Sequence, residues 1–313
     1  MERFKYYQSG VSLVEILIAL AISLVLVGVA SYSYIASKGT FRSTDEQTQI
    51  YEDGRFALEL LGQNIRSAGF MVSVDYPVDQ IQKFTDIFPS DTAVVDVRAL
   101  RGCAGGVDAS HNCLVTPTPG QPSALSVTYF TDNPDAIGNA SGKTNDELGL
   151  GVDCVGKKAN QAATPTTPPP PATRRYFVTN LFFISQTNYV LDGQNKVLYE
   201  LSCLGSGGTG IAPQTPQSLV KGVRDLQFLY GVDSSGNDEA VTRYFTADQV
   251  EAQNFWESVI NVRVCVLMET IKGGVTSGPS TYQDCDGVTQ NVAAGVLRRA
   301  FTSTYNLRNR VRR

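Results

Sequence analysis

The stretch SGVSLVEILIALAISLVLVGVA, residues 9–30, contains twenty residues from Val11 to Ala30 whose only charge is Glu15. Twenty helical residues at a rise of about 1.5 Å cover about 30 Å, the hydrocarbon thickness of a bilayer, so this run reads as a spanning helix. A carboxylate inside that layer costs about 2.5–3.5 kcal/mol unless something neutralises it, so Glu15 calls for a partner. No A-x-A cleavage signal follows the run, and VASYSYIASKGTF (residues 29–41) continues without turn chemistry. The apolar segment is therefore expected to be retained rather than removed as an ordinary secretory signal. Arg3 and Lys5 ahead of it favour a cytoplasmic N-terminus, an asymmetry that Lys38 and Arg42 weaken.

Beyond the span, Ile50, Gly54, Ala57, Leu58, Leu61, Ile65 and Ala68 recur at the spacing of one helical stripe. Gly69 suits the position just past a helix C-terminus, and Arg66 suits the last turn, where a cation favours the helix dipole. One helix from about Val11 to about Ala68 follows, bent at most near Gly28 and Gly39. The chain then divides into a leader (1–10), a transmembrane or filament-core half of the helix (11–35), a head-packing half (36–69) and a β-rich exported head (70–313).

Within the head, TAVVDVRAL, SALSVTYF, RYFVTNLFFI, KVLYELSCL, VRDLQFLYGVD, VINVRVCVLME and RRAFTSTYNL are short runs rich in Val, Tyr, Phe and Thr. Gly, Asn, Asp or Pro separate them, as expected of an antiparallel sheet. The fold class is thus α+β, a long N-terminal helix packed on a sheet with long loops. The Pro/Thr-rich stretch 161–173 lacks the donors and the freedom in φ that a helix or interior strand needs, so it reads as a surface spacer.

Six cysteines, Cys103, Cys113, Cys154, Cys203, Cys265 and Cys285, all lie downstream of the span, which suits export to an oxidising compartment. An even set of six leaves 15 pairings open. The local reading joins Cys103 to Cys113 around a Gly-rich turn and Cys265 to Cys285 across KGGVTSGPSTY, read as a hairpin tip, leaving Cys154 for Cys203. With no C-x-x-C and a single histidine, zinc spacing is absent.

Catalytic constellations are missing as well. His111 sits in ASHNCLV between two cysteines, and no G-x-S-x-G, Walker A or H-E-x-x-H occurs. Asp233, Asp238 and Glu239 fall in DSSGNDEA, which fails the calcium-loop spacing and serves as a turn. No enzyme activity or cofactor is expected, with calcium at this turn kept as the minor alternative. Arg298, Arg299, Arg308, Arg310, Arg312 and Arg313 form a basic C-terminal run with no acid among residues 296–313. A net charge of −4 argues against a general nucleic-acid surface, so this run reads as a guarded edge strand and a partner contact.

The basic leader ending in Gly10, followed by VSLVEILIALAI, resembles the class III signal of type IV pilins and pseudopilins. EDGRFALELLGQNIRSAGF after the span and LRRAFTSTYNLRNR near the C-terminus resemble PilW-type minor pilins. The resemblance implies the type IV pilin fold, cleavage by the prepilin peptidase between Gly10 and Val11, and methylation of Val11. Val11 departs from the phenylalanine usual in that family. The resemblance also gives Glu15 a role, attraction of a neighbouring subunit's N-terminal amine during assembly. It implies an inner-membrane precursor that joins a type IV pilus, with other pilins and the assembly machinery as partners. A minor pseudopilin of type II secretion shares the leader, and a signal-anchored periplasmic binding domain would share the span alone.

Overall fold

The computed structural model describes residues 10, 12–70, 99–114, 116, 117, 120–131, 151–161, 176–191, 193–206, 215–235, 240–273, 275, 276 and 278–309. Helix α1 runs unbroken from Leu13 to Ser67, 55 residues, or about 80 Å at the usual rise. Ser12 caps it, its Oγ accepting the Glu15 N–H at 3.2 Å. At the other end Gly69 takes φ +70°, a left-handed turn that ends the helix. The Gly69 N–H then donates to the Thr128 carbonyl at 3.0 Å, which hands the chain directly to the head.

Two sheets make that head. The first orders β1 (Leu100–Cys103), β2 (Ala124–Thr131), β4 (Tyr176–Leu191), β5 (Gln194–Gly205) and β6 (Gln217–Lys221), with β3 (Asn160–Gln161) beside β4. The second orders β12 (Arg298–Asn306), β9 (Val259–Glu269), β7 (Val223–Val232) and β8 (Arg243–Phe245). A separate hairpin joins β10 (Ser280–Gln283) to β11 (Thr289–Val292). Every pairing is antiparallel. A short helix α2 (Ala247–Ala252) and a single turn of tighter helix, Trp256–Ser258, connect β8 to β9.

The core forms where the stripe of α1 meets both sheets. Ala57, Leu61 and Ile65 are fully buried, among Leu125 and Val127 of β2, Phe182 of β4 and Val264 of β9. Each such aliphatic or aromatic side chain contributes about 1.5–3 kcal/mol on burial. The first buried residue of α1 is Glu46, so the head grips the helix ten residues later than the boundary at 36.

One expectation changes. The segment between Cys265 and Cys285 is not a hairpin tip: the residues described between Glu269 and Ser280 are neither helix nor strand, and the turn lies at Asp284–Gly287, between β10 and β11. There the Asp284 carboxylate accepts the N–H groups of Asp286 and Val288 at 3.1 and 2.8 Å, a side-chain-built turn that Gly- and Pro-rich KGGVTSGP does not offer. Of TAVVDVRAL only Ala99 and Leu100 are described, and of the Pro/Thr-rich stretch only Gln161; the rest lie outside the described residues.

Candidate assembly interface

The acid that stands alone in the span sits in the first turn of α1, three residues after the capping Ser12. The helix dipole favours an anion there, and S-x-x-E is the sequence of a capping box, so the fold itself supplies part of the compensation Glu15 needs. Gly10 is exposed and non-helical, while Val11 lies outside the described residues. The junction that the sequence leads one to expect between leader and helix thus falls immediately ahead of the cap.

Among the described residues nothing covers the apolar half of α1. Every large apolar residue from Leu13 to Val29 is between 51% and 77% exposed, far beyond what a soluble surface tolerates as a continuous patch. It is also the one helix among the described residues long and apolar enough to cross a membrane. Lipid or other apolar helices are the environments that match such a surface.

The other half of α1 is locked to the head through a line of sockets. A side chain at Gly54 would run into the ring of Phe301, and one at Gly62 into the ring of Tyr305. Both aromatics stand on the helix-facing side of β12, since side chains two and four apart share a face. The Tyr305 hydroxyl donates to the Leu58 carbonyl at 2.8 Å. Arg66 lies over the same ring, 5.3 Å from its centre, and pairs with Glu59 at 3.0 Å.

Polar contacts pin the register at both ends of this seam. Near its upper end Asn180, buried on β4, donates from Nδ2 to Oδ1 of Asn64 at 2.9 Å and accepts the Cys154 N–H at 3.0 Å. Asn309 donates to the Arg66 carbonyl at 3.1 Å. At the lower end buried Glu46 meets Lys272 at 3.0 Å. The spacing of glycines eight apart in an otherwise amphipathic helix is the signal that could have revealed the sockets. Asn64 and Asn180 carried no such signal.

Disulfides tie the periphery down, and they join Cys103 to Cys113, Cys154 to Cys203 and Cys265 to Cys285. These are the pairs of the local reading. His111 packs its ring on Phe183, 5.1 Å between centres. Asp233 accepts the backbone N–H and the hydroxyl of Ser235, while Asp238 and Glu239 lie outside the described residues. Among the described residues no three His, Cys, Asp or Glu side chains are grouped as a metal site.

The described arginines of the basic C-terminal run are dispersed. Arg298 and Arg299 are neighbours on a strand and so face opposite ways. Arg298 donates to Glu269 at 2.6 Å, and Arg299 lies over Tyr51 at 4.6 Å. Arg308 is exposed; Arg310, Arg312 and Arg313 lie outside the described residues.

Residues 5–31 match the prokaryotic N-terminal methylation motif, and residues 183–309 match the type IV pilus-assembly protein W family. No curated protein and no solved structure matches the chain. The first match contains Gly10, Ser12 and Glu15; the second contains Phe301, Tyr305 and Asn309, the head side of the seam. With a long apolar helix at one end and this head at the other, the chain is similar to the type IV pilus-assembly protein W family over residues 183–309 and to the N-terminal methylation motif over residues 5–31.

Proposed function

We propose that this chain is a non-catalytic assembly subunit that works without a cofactor. It enters the inner membrane with its N-terminus in the cytoplasm, is cut between Gly10 and Val11 by the prepilin peptidase, is methylated on Val11, and joins a type IV pilus at low copy. Within the pilus it belongs to an initiating complex at the tip, with other minor pilins. The observation that carries this reading is the pairing of an uncovered apolar half of α1, bearing Glu15 in its first turn, with a head fastened rigidly to the other half.

In this mechanism burial of the apolar half among neighbouring helices supplies affinity. Glu15 supplies register, because a carboxylate in a low-dielectric core is stable only beside a cation, and the new amino end of a neighbour is that cation. The seam transmits the helix position to the head, which presents surfaces to the next subunit.

Mass spectrometry of the mature protein tests the processing step: a chain beginning at Val11 with one added methyl is expected, and a chain beginning at Met1 in cells with active peptidase overturns it. Glu15→Ala is expected to be cut normally yet enter pili poorly; normal incorporation overturns the role given to the acid. Labelled heads are expected at pilus ends, and an even distribution along the filament overturns the tip placement.

A further inference from the structure

Strand β12 has one edge that the described fold leaves open. Leu307 donates its N–H to the Ile260 carbonyl at 2.9 Å, and the Leu297 carbonyl accepts from Thr270 at 3.0 Å. Such pairs alternate in an antiparallel ladder, so odd-numbered residues of β12 turn their backbone groups toward β9 and even-numbered ones turn theirs away. Arg298, Ala300, Thr302, Thr304 and Asn306 therefore line the other edge. Among the described residues no strand pairs that edge, and no hydrogen bond reaches the N–H or C=O groups of Ala300, Thr302, Thr304 or Asn306. The β10–β11 hairpin meets β12 at its Arg298 end, where Arg298 Nη1 donates to the Tyr282 hydroxyl at 3.1 Å.

The remaining sheet edges are defended by brevity. β1 has 4 residues and β8 has 3, while β6 has 5 and its pairing shifts register between Leu201 and Ser202. β4 runs on past the end of β2, but there it forms a two-stranded ribbon with β5, whose stronger twist disfavours a long added strand. None of these defences protects β12. It has 9 residues, matches β9 one to one without a bulge and contains no proline. From Ala300 to Asn306 it reads AFTSTYN, uncharged and rich in strand-forming Thr, Phe and Tyr. Thr302, Thr304 and Asn306 are exposed. An open stretch of this kind is a template for one more strand.

Charge selects what that strand is. Arg299 and Arg308 are exposed at the two ends of the uncharged run, and no acid occurs among residues 296–313. A second copy of the edge fits badly: laid antiparallel about Ser303 it sets Arg308 level with Arg298 and beside Arg299, and laid parallel it sets each arginine beside its own copy. A strand bracketed by acids fits well. Beside the edge, Tyr51 of α1 is 40% exposed and meets Phe301 edge-on, 5.7 Å between ring centres. It offers an aromatic anchor to the inward side chains of an added strand.

We propose that the open edge of β12, from Ala300 to Asn306, accepts an extended strand from the head of a different pilus subunit, an uncharged run whose two ends carry acids that meet Arg299 and Arg308. The proposal rests on the assembly reading above and names the surface through which the head joins its neighbour. Backbone groups of the outward residues supply the pairing, and the arginines supply partner choice.

The test places a photo-crosslinking amino acid at Asn306 of the full chain in piliated cells, with a second probe at Leu20 on the apolar half of α1. The Asn306 probe is expected to capture a different pilus subunit through a head segment that carries an acid within a few residues of the crosslink. Capture of a second copy of this chain, or of a protein outside the pilus, overturns the occupant; a captured segment without such an acid overturns the charge rule. If Leu20 captures pilin helices while Asn306 captures nothing, the docking edge is overturned and the assembly reading stands; if neither probe captures a pilin, the assembly reading falls as well. Thr304→Pro deletes an outward N–H and leaves the ladder to β9 whole. It is expected to lower capture at Asn306 by roughly fivefold or more at an unchanged level of folded chain, and unchanged capture overturns strand pairing. Should the proline unfold the head, Arg308→Glu decides: capture is again expected to fall by roughly fivefold or more, and unchanged capture overturns the part given to the arginines.

Discussion

Tyr305 and Gly62 share one volume: the ring of Tyr305 occupies the space in which any side chain at position 62 would begin, while its hydroxyl holds the Leu58 carbonyl one turn below. The seam between helix and head is therefore a fit of ring into missing side chain. Gly54 and Phe301 repeat it. Gly62→Ala is expected to destabilise the head by about 1–3 kcal/mol, the usual cost of overpacking, even though alanine is the better helix former. Thermal unfolding of the detergent-solubilised chain measures it. Gly62→Ala combined with Tyr305→Leu should lose less than the two changes summed, since the second frees the space that the first invades.

Removing the hydroxyl alone isolates the polar part of the socket. Tyr305→Phe keeps the ring in place and leaves the Leu58 carbonyl short of a donor. The expected loss is about 1 kcal/mol, as for a typical intramolecular hydrogen bond. A loss above that of Gly62→Ala would show that the ring's packing matters less than its hydroxyl.

Lys272→Ala strands Glu46, which is 2% exposed on the inner face of α1. An unpaired buried carboxylate costs about 1–3 kcal/mol or more, and the half-exposed lysine keeps the figure toward the lower end because solvent screens the pair. Glu46→Gln on the same background should restore part of the loss, since a neutral amide is cheaper to bury than a lone charge. Failure of that rescue would mean that the loss comes from loop packing rather than charge.

Asn180→Leu breaks the junction of β4, α1 and the 151–160 loop at once, leaving the Asn64 Oδ1 and the Cys154 N–H without their shared partner. About 2–4 kcal/mol of destabilisation is expected from two such groups. Hydrogen exchange should rise selectively at residues 60–67 and 151–160, and a uniform rise would argue against a local junction.

The three disulfides should not be equal. In the chain-entropy account, the 49-residue separation of Cys154 and Cys203 gives about 4 kcal/mol and the 10-residue separation of Cys103 and Cys113 about 3. Paired Cys→Ser variants, compared by denaturant midpoint, should therefore rank Cys154–Cys203 as the most costly to lose. The reverse order would place the gain in native packing rather than in the unfolded chain.

Local patterns carried a large part of this protein. The span, its lone acid and the stripe from Ile50 to Ala68 were legible because a helix sets its contacts within four residues, so period and composition report them. Strand content was legible for the same reason, through alternation and turn residues. Missed was the turn between β10 and β11, because Asp284 builds it with a side chain that reaches Val288 and Gln290, a device that Gly and Pro counts do not register.

By its residues alone the chain determined one long helix, half of it fit for lipid, and a β-rich head. Only the tertiary structure decided that Gly54 and Gly62 are sockets, that Asn64 answers Asn180 across 116 residues and Tyr305 answers Leu58 across 247, and that the head takes hold at Glu46. The reason is distance along the chain: a 3.6-residue period announces which face of a helix is buried, but which ring enters which gap depends on the closure of loops hundreds of residues long, and no local pattern encodes it.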